Sequence, residues 1–284
     1  MRIVRTIADW QALRSARGAS SRGDKSIGFV PTMGALHAGH AALIERSVAE
    51  NRFTVLSIFV NPTQFNNATD LEHYPDTLDD DLALATELGV DAVLLPSYQE
   101  LYADDYRFQV LERQLSSKLC GEHRPGHFDG VMTVVLKLLN LVKPNRAYFG
   151  EKDYQQYELV RDMCAAFLLD VDIVPCPTVR ELDGLAMSSR NLRLTPEDRA
   201  RAPQLAQQLR RDVSDDAVIA ELTALGFNID YVVSRAGRRF GAASLGSGAN
   251  QVRLIDNVPL ASALAEITQL KPRPSTSTEL AEAG

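Results

Sequence analysis

The chain has 284 residues, 45% of them hydrophobic and 24% charged, with a formal net charge of −7 at pH 7. That length favours two domains with a sizeable core, and the acidic balance excludes a general nucleic-acid-binding surface while leaving room for a local basic pocket for one nucleotide. No apolar run approaches the ~20 residues of a membrane-spanning helix, and residues 1–6 lack the apolar stretch of a secretory signal.

In chain order, residues 27–30 (IGFV) read as a strand and 41–51 as a helix. Residues 53–60 (FTVLSIFV), rich in β-branched and aromatic side chains, read as a buried strand. Strand, glycine-bearing turn, helix, strand is a βαβ unit, which implies a parallel sheet. A second helix is expected over 77–88, stopped by Gly89, with a strand over 90–95. Val131, Val134, Val135, Leu138, Leu139 and Val142 line one face of a helix that Pro144 ends. A strand over 147–150, a helix over 154–169 and a strand over 171–174 continue the alternation. The pattern describes a Rossmann-like, doubly wound parallel α/β domain over 1–178.

Beyond it, residues 200–217 are polar and expected to be helical, 229–233 and 251–255 read as strands, and 241–250 (GAASLGSGAN) reads as a flexible loop. This predicts a smaller C-terminal α+β lid domain over 179–271 and a disordered tail over 272–284. The three cysteines, Cys120, Cys164 and Cys176, show neither metal nor redox spacing. Free thiols in a reducing, cytoplasmic setting are expected.

Five segments carry chemistry. Residues 31–40, PTMGALHAGH, sit where the first strand hands over to a helix. A helix N-terminus offers free N–H groups and a partial positive charge, which suit a phosphate, and His37 and His40 can add imidazole donors. The same pair also fits a merely satisfied helix start, or a metal pair lacking an evident third ligand. Residues 59–65, FVNPTQF, end the next strand, where Asn61 and Gln64 suit a hydroxyl or carboxylate. An ordinary Asn-Pro turn is the alternative. Residues 150–156, GEKDYQQ, repeat that geography, with Lys152 as a mobile charge for phosphate and Glu151 and Asp153 as its partners or ribose acceptors. Residues 124–130, RPGHFDG, form a loop able to cover a pocket, and 187–191, MSSRN, place two hydroxyls and a guanidinium in a row. Asp79, Asp80 and Asp81 open the second helix after Thr77. Acids are favourable there for structure alone, and Asp80 and Asp81 are otherwise candidates for a contact to Mg²⁺ or water near a nucleotide.

Together these segments resemble the pantothenate synthetase (pantoate–β-alanine ligase) family. PTMGALHAGH, FVNPTQF, RPGHFDGV, GEKDYQQ and TVRELDGLAMSSRN stand in family order at family-like separations, over 20–195 and more loosely 229–257. The first and last also look like the H-x-G-H and K-M-S-K-S signatures of the wider nucleotidyltransferase superfamily. The resemblance implies that pantoate and Mg·ATP give pantoyl adenylate and pyrophosphate, and that β-alanine then gives pantothenate (vitamin B5) and AMP. By matching position it implies a nucleotide site of Met33, Gly34, Ala35, Leu36, His37, Ala38, Gly39 and His40. Gly150, Glu151, Lys152, Asp153, Val179, Met187, Ser188, Ser189 and Arg190 complete that site. His40 matches the family's general-acid position. Charge stabilisation by His37, His40 and Lys152 suffices for the chemistry, since pyrophosphate leaving as its Mg²⁺ complex scarcely needs a proton. Gln64 and Gln156 match the amides that hold pantoate, with Asn61, Arg124 and His127 lining the same pocket. The family implies a homodimer acting on small molecules, with no nucleic acid or membrane partner. An adenylyltransferase acting on a phosphorylated cofactor precursor shares the first motif, but is expected to lack FVNPTQF with GEKDYQQ. A non-catalytic nucleotide-binding module would tolerate loss of His37, His40 or Lys152, all of which are present.

Overall fold

The computed structural model describes residues 1–20 and 26–260. Six strands form one sheet: β1 (Arg2–Val4), β2 (Ile27–Thr32), β3 (Phe53–Ile58), β4 (Ala92–Leu94), β5 (Arg146–Gly150) and β6 (Asp172–Cys176). Their spatial order is β1-β4-β3-β2-β5-β6 and every pairing is parallel. Helices carry the chain back between strands, as parallel pairing requires. They are α1 (Ile7–Ser20), α2 (Ala38–Glu50), α3 (Ala68–Glu72), α4 (Leu78–Glu87), α5 (Tyr98–Leu101), α6 (Cys120–His123), α7 (His127–Val142) and α8 (Tyr154–Ala166).

Successive strand residues face opposite apolar layers. Phe29, Val55, Ala147 and Phe149 pack with Trp10 of α1 and the buried faces of α7 and α8. Their neighbours Val30, Leu56 and Tyr148 pack on the other side with Leu43 and Ile44 of α2 and Ala85 of α4. Burial on both faces is why the sequence of β2 runs apolar instead of alternating. The chain builds from β2 through β3 to β4, then returns to set β5 on the other side of β2. The crevice beyond the carboxyl ends of β2 and β5 is therefore the switch point at which open α/β sheets bind ligands.

A second body follows: α9 (Pro196–Arg201), α10 (Gln204–Leu209), α11 (Asp215–Ala224) and the antiparallel sheet β7 (Asn228–Arg235), β8 (Arg238–Leu245) and β9 (Val252–Pro259). Leu205, Leu209, Val218 and Leu222 from the helices meet Val232, Ala243, Leu245 and Leu254 of the sheet in a separate apolar cluster.

Two expectations are corrected, and two elements are added. Residues 241–245, expected in a loop, form the buried end of the central strand β8. The single helix expected over 200–217 is broken, because Pro203 opens α10 and Ser214 caps α11 by accepting the Ala217 N–H at 3.3 Å. β1 and α1 are additions, since α1 buries little beyond Trp10 and its apolar stripe is sparse. Residues 261–284, including the expected tail, lie outside the described residues. Among the described residues no helix is long and apolar enough to cross a membrane.

Candidate active site

β2 leads into a tight turn in which Gly34 and Ala35 both take positive φ, +82° and +51°. For alanine this left-handed backbone costs about 1–2 kcal/mol. Asp81 of α4 offsets it: Oδ2 accepts the Ala35 N–H at 2.9 Å and Oδ1 the Leu36 N–H at 2.7 Å, while the Thr77 hydroxyl donates to Oδ2 at 3.2 Å. Both oxygens of this buried carboxylate are thus committed to the turn. Asp81 is a scaffold for the first motif. Asp80 is exposed, and neither residue lines the cavities described below.

α2 begins at once, capped by histidines. Nδ1 of His37 accepts the Gly39 N–H at 3.1 Å, and Nδ1 of His40 accepts the His37 N–H at 3.3 Å, a reciprocal capping box. The rings stack with centroids 4.1 Å apart. Because each Nδ1 is an acceptor, the proton of each neutral ring sits on Nε2. Burial, helped by neighbouring His37, pulls His40 down to about 3. Burial and then Lys152 lower His37. Both rings are therefore neutral N–H donors at physiological pH. A Cβ on Gly39 would lie 2.8 Å from Cε1 of His37, so glycine there lets the imidazole fold back over its own helix.

β3 ends at a 3₁₀ turn, Pro62–Gln64. Asn61 is buried and fully occupied: its Oδ1 accepts the Thr63 and Tyr102 hydroxyls, each at 3.0 Å. Its Nδ2 donates to Gln64 Oε1 at 3.1 Å and to the Gly130 carbonyl at 3.3 Å. Asn61 thereby orients Gln64, whose Nε2 lies 3.0 Å from Sδ of Met33. Burial raises Tyr102 to about 12, which keeps its hydroxyl a neutral donor. At the start of α7, Nδ1 of His127 donates to the Gln64 carbonyl at 2.8 Å, leaving Nε2 to accept from Nη1 of Arg124 at 3.0 Å. Burial and the Arg124 charge take His127 down to about 3. Burial lowers Arg124 itself to about 10, still cationic.

β5 ends in the 3₁₀ turn Glu151–Asp153, where the Lys152 ammonium lies 3.7 Å from the Asp153 carboxylate. The two glutamines that follow diverge. Gln155 is buried and bonded to the Cys120 N–H and the Leu115 and Lys118 carbonyls, whereas Gln156 lines the cavity. After β6 a strap returns: the Met187 N–H donates to the Val179 carbonyl at 3.0 Å. Ser188 then caps the turn Ser189–Arg193, whose Arg190 and Arg193 grip Asp70 of α3 at 2.9 and 2.7 Å.

These elements enclose a cavity of about 200 Å³. Its floor is apolar, from Phe59, Val131, Val134, Val135, Leu138 and Phe149. Its polar lining comes from Met33, His37, His40, Asn61, Gln64, Arg124 and His127 together with Lys152, Asp153, Gln156, Ser188, Ser189 and Arg190. A second cavity of about 670 Å³ shares Arg124, Lys152, Asp153, Ser188 and Arg190 with it and extends to β7, β8 and β9. Gly34, Ala35, Leu36, Ala38, Gly39, Gly150, Val179 and Met187 do not line these two cavities, and neither does Glu151. They belong to the turns, helix start and strap behind the lining. Sequence reasoning missed Asp70, Tyr102 and the role of Asp81, none of which sits inside a recognisable motif.

The family model described as pantoate-beta-alanine ligase matches residues 2–259. The chain belongs to the pantoate-β-alanine ligase family. The pantothenate synthetase of Bdellovibrio bacteriovorus is 51% identical over 258 residues, 91% of this chain and 99% of that one. That of Legionella pneumophila (strain Lens) is 51% identical over 257 residues, 90% of this chain and 99% of its own. Among solved structures, a pantothenate synthetase from Thermus thermophilus aligns with a TM-score of 0.81 at 42% identity, covering 91% of this chain and 99% of that chain. The pantoate-β-alanine ligase from Francisella tularensis complexed with β-γ ATP and β-alanine aligns with a TM-score of 0.83 at 39% identity, covering 91% and 97%. As a pantoate-β-alanine ligase, this chain is an enzyme of pantothenate biosynthesis that forms a carbon–nitrogen bond.

Proposed function

We propose that the ligation runs through a pantoyl adenylate formed where the two cavities meet, with Mg·ATP as co-substrate. The smaller cavity suits pantoate: an apolar floor for its geminal methyls, and the Gln64 and Gln156 amides for its hydroxyls and carboxylate. The larger one suits the nucleotide, and the Francisella relative's complex with a nucleotide and β-alanine supports ATP as the co-substrate. The observation that carries the reading is the shared wall. Lys152 and Arg190 line both cavities, and His37 and His40 line the smaller one with them.

A pantoate carboxylate oxygen attacks the α-phosphorus, and the bond to the pyrophosphate oxygen breaks. Negative charge grows on nonbridging and leaving oxygens, where the Nε2–H groups of His37 and His40 and the Lys152 ammonium stabilise it without reorganising. His40, neutral in the free site, acts here as a hydrogen-bond donor instead of giving up its proton. The free amine of β-alanine then attacks the acyl carbon and AMP leaves. Positioning supplies most of that step, because the mixed anhydride is already reactive. Closure of the second body over the site would keep water from it. Mg²⁺ entering with the nucleotide, a homodimeric state and a cytoplasmic setting complete this reading on the strength of the family resemblance.

Incubation with ATP, pantoate and β-alanine should release AMP and pantothenate. A dinucleotide formed from a phosphorylated substrate would instead favour the adenylyltransferase. His40→Ala and Lys152→Ala should each lower pantoate-dependent ATP–pyrophosphate exchange roughly 10²–10³-fold. Near-normal exchange in both variants would sink the mechanism.

A further inference from the structure

We propose that two adjacent residues of β9, Asp256 and Asn257, position two backbone segments of the adenylation site from the second body: the Glu151–Asp153 turn and the strap that leads into Ser188 and Arg190. Asn257 is 3% exposed. Its Nδ2 donates to the carbonyls of Glu151 at 2.7 Å and Lys152 at 3.0 Å, and its Oδ1 accepts from Nε and Nη2 of Arg238 at 2.9 and 2.6 Å. Carbonyls only accept and a guanidinium only donates, so the amide has a single workable orientation. The turn it holds, Glu151–Asp153, has no side-chain cap of its own. Asn257 therefore supplies donors from a strand more than a hundred residues away in sequence, since the bond to Glu151 spans 106 residues.

Asp256 does the same for the strap. Its oxygens take a bidentate pair from Arg180 at 2.6 and 2.9 Å, and Oδ1 also accepts the Asn257 N–H at 2.7 Å. Arg180 in turn donates to the Gly184 carbonyl at 3.0 Å, which closes the strap that begins at Val179 and leads into Ser188 and Arg190. One dipeptide thus fixes both the Lys152 backbone and the strap. Lys152 is a point charge on a flexible stem, so its aim depends on where its backbone is held. A misplacement of about 1 Å costs on the order of 10²-fold in rate.

This inference rests on the adenylation reading above and adds residues that it does not contain. Asn257→Asp is nearly isosteric and keeps the Arg238 contact, but replaces both donors by an acceptor facing two carbonyls. Arg238→Gln leaves Asn257 in place and frees its amide to turn. Three quantities decide: pantoate-dependent ATP–pyrophosphate exchange, capture of added pantoyl adenylate by β-alanine, and the unfolding temperature. Asn257→Asp should lower kcat of exchange roughly 10- to 100-fold and raise KM for ATP, and Arg238→Gln should do so to a lesser degree. Capture of the preformed adenylate should stay within about threefold of the unsubstituted enzyme, because Gln64 is held by Asn61 and bonds to neither Asn257 nor Arg238. A uniform fall of both half-reactions with a lowered unfolding temperature in both variants would make the residues merely structural and overturn the proposal. Unchanged exchange in both variants would overturn it alone. Absence of exchange in the unsubstituted protein would overturn the adenylation reading together with it.

Discussion

Which nitrogen of each histidine is already occupied decides what that histidine can do. His37 and His40 spend Nδ1 on backbone N–H groups and keep an Nε2–H for the site, whereas both nitrogens of His127 are used inside the protein. Neutral His127 also sets a pH dependence of stability. Its folded pKa, about 3, lies below the usual 6.5. The unfolded chain therefore binds the proton first, and stability falls as pH drops from about 6.5 towards 3, by at most about 1.4 kcal/mol per pH unit for this group. His127→Gln retains a donor for the Gln64 carbonyl and cannot titrate. Urea unfolding at pH 7 and pH 5 should show a smaller acid loss in that variant, and an equally steep loss would refute the assignment. Asn61→Ala tests the neighbouring network. It removes the acceptor shared by the Tyr102 and Thr63 hydroxyls and frees Gln64, a penalty of about 1–3 kcal/mol. KM for pantoate should rise about tenfold with KM for ATP little changed, as measured by steady-state kinetics.

At the scale of elements, the close approach of α7 to the Pro62–Gln64 turn governs the pantoate end of the site. A Cβ on Gly130 would lie 2.4 Å from the Thr63 carbonyl oxygen. Gly130→Ala must push the helix from the turn, at about 1–3 kcal/mol, with a lower unfolding temperature and a higher KM for pantoate as the expected readouts. Glycine-rich sequence misleads elsewhere for the same reason. Residues 241–245 contain small side chains and read as a loop, yet a Cβ on Gly241 would meet Leu209 at 2.8 Å. Smallness there permits α10 to settle on β8 and is no sign of looseness. The parallel sheet was legible because both faces of its inner strands are buried, which leaves continuous apolar runs. Three of the five motifs were legible because each lies where a strand, β2, β3 or β5, ends and a helix or turn begins. Register inside a motif was not: nothing local separates Gln155, which braces α6, from Gln156, which faces substrate space, or Asp81 from Asp80.

Across the whole molecule, the site is held by contacts that join distant parts of the chain, and these the sequence hides. The Arg190–Asp70 bond spans 120 residues, and Asp70 lies in a segment with no motif of its own. It nevertheless holds Arg190 and Arg193 together, so α3 of the first body anchors the turn that opens the second. The side chains are a quarter to a third exposed, and exposed pairs of this kind contribute about 0.2–1 kcal/mol each. Asp70→Asn retains one acceptor and removes the charge, so the fold should persist while Arg190 loses its fixed aim. If Arg190 contacts the nucleotide from this anchored position, KM for ATP should rise roughly two- to fivefold with KM for pantoate unchanged. Hydrogen exchange over Ser189–Arg193 should quicken in parallel. A lower KM for ATP would mean that Asp70 competes with the nucleotide for Arg190, and would assign the pair to the site's resting state instead of its working one.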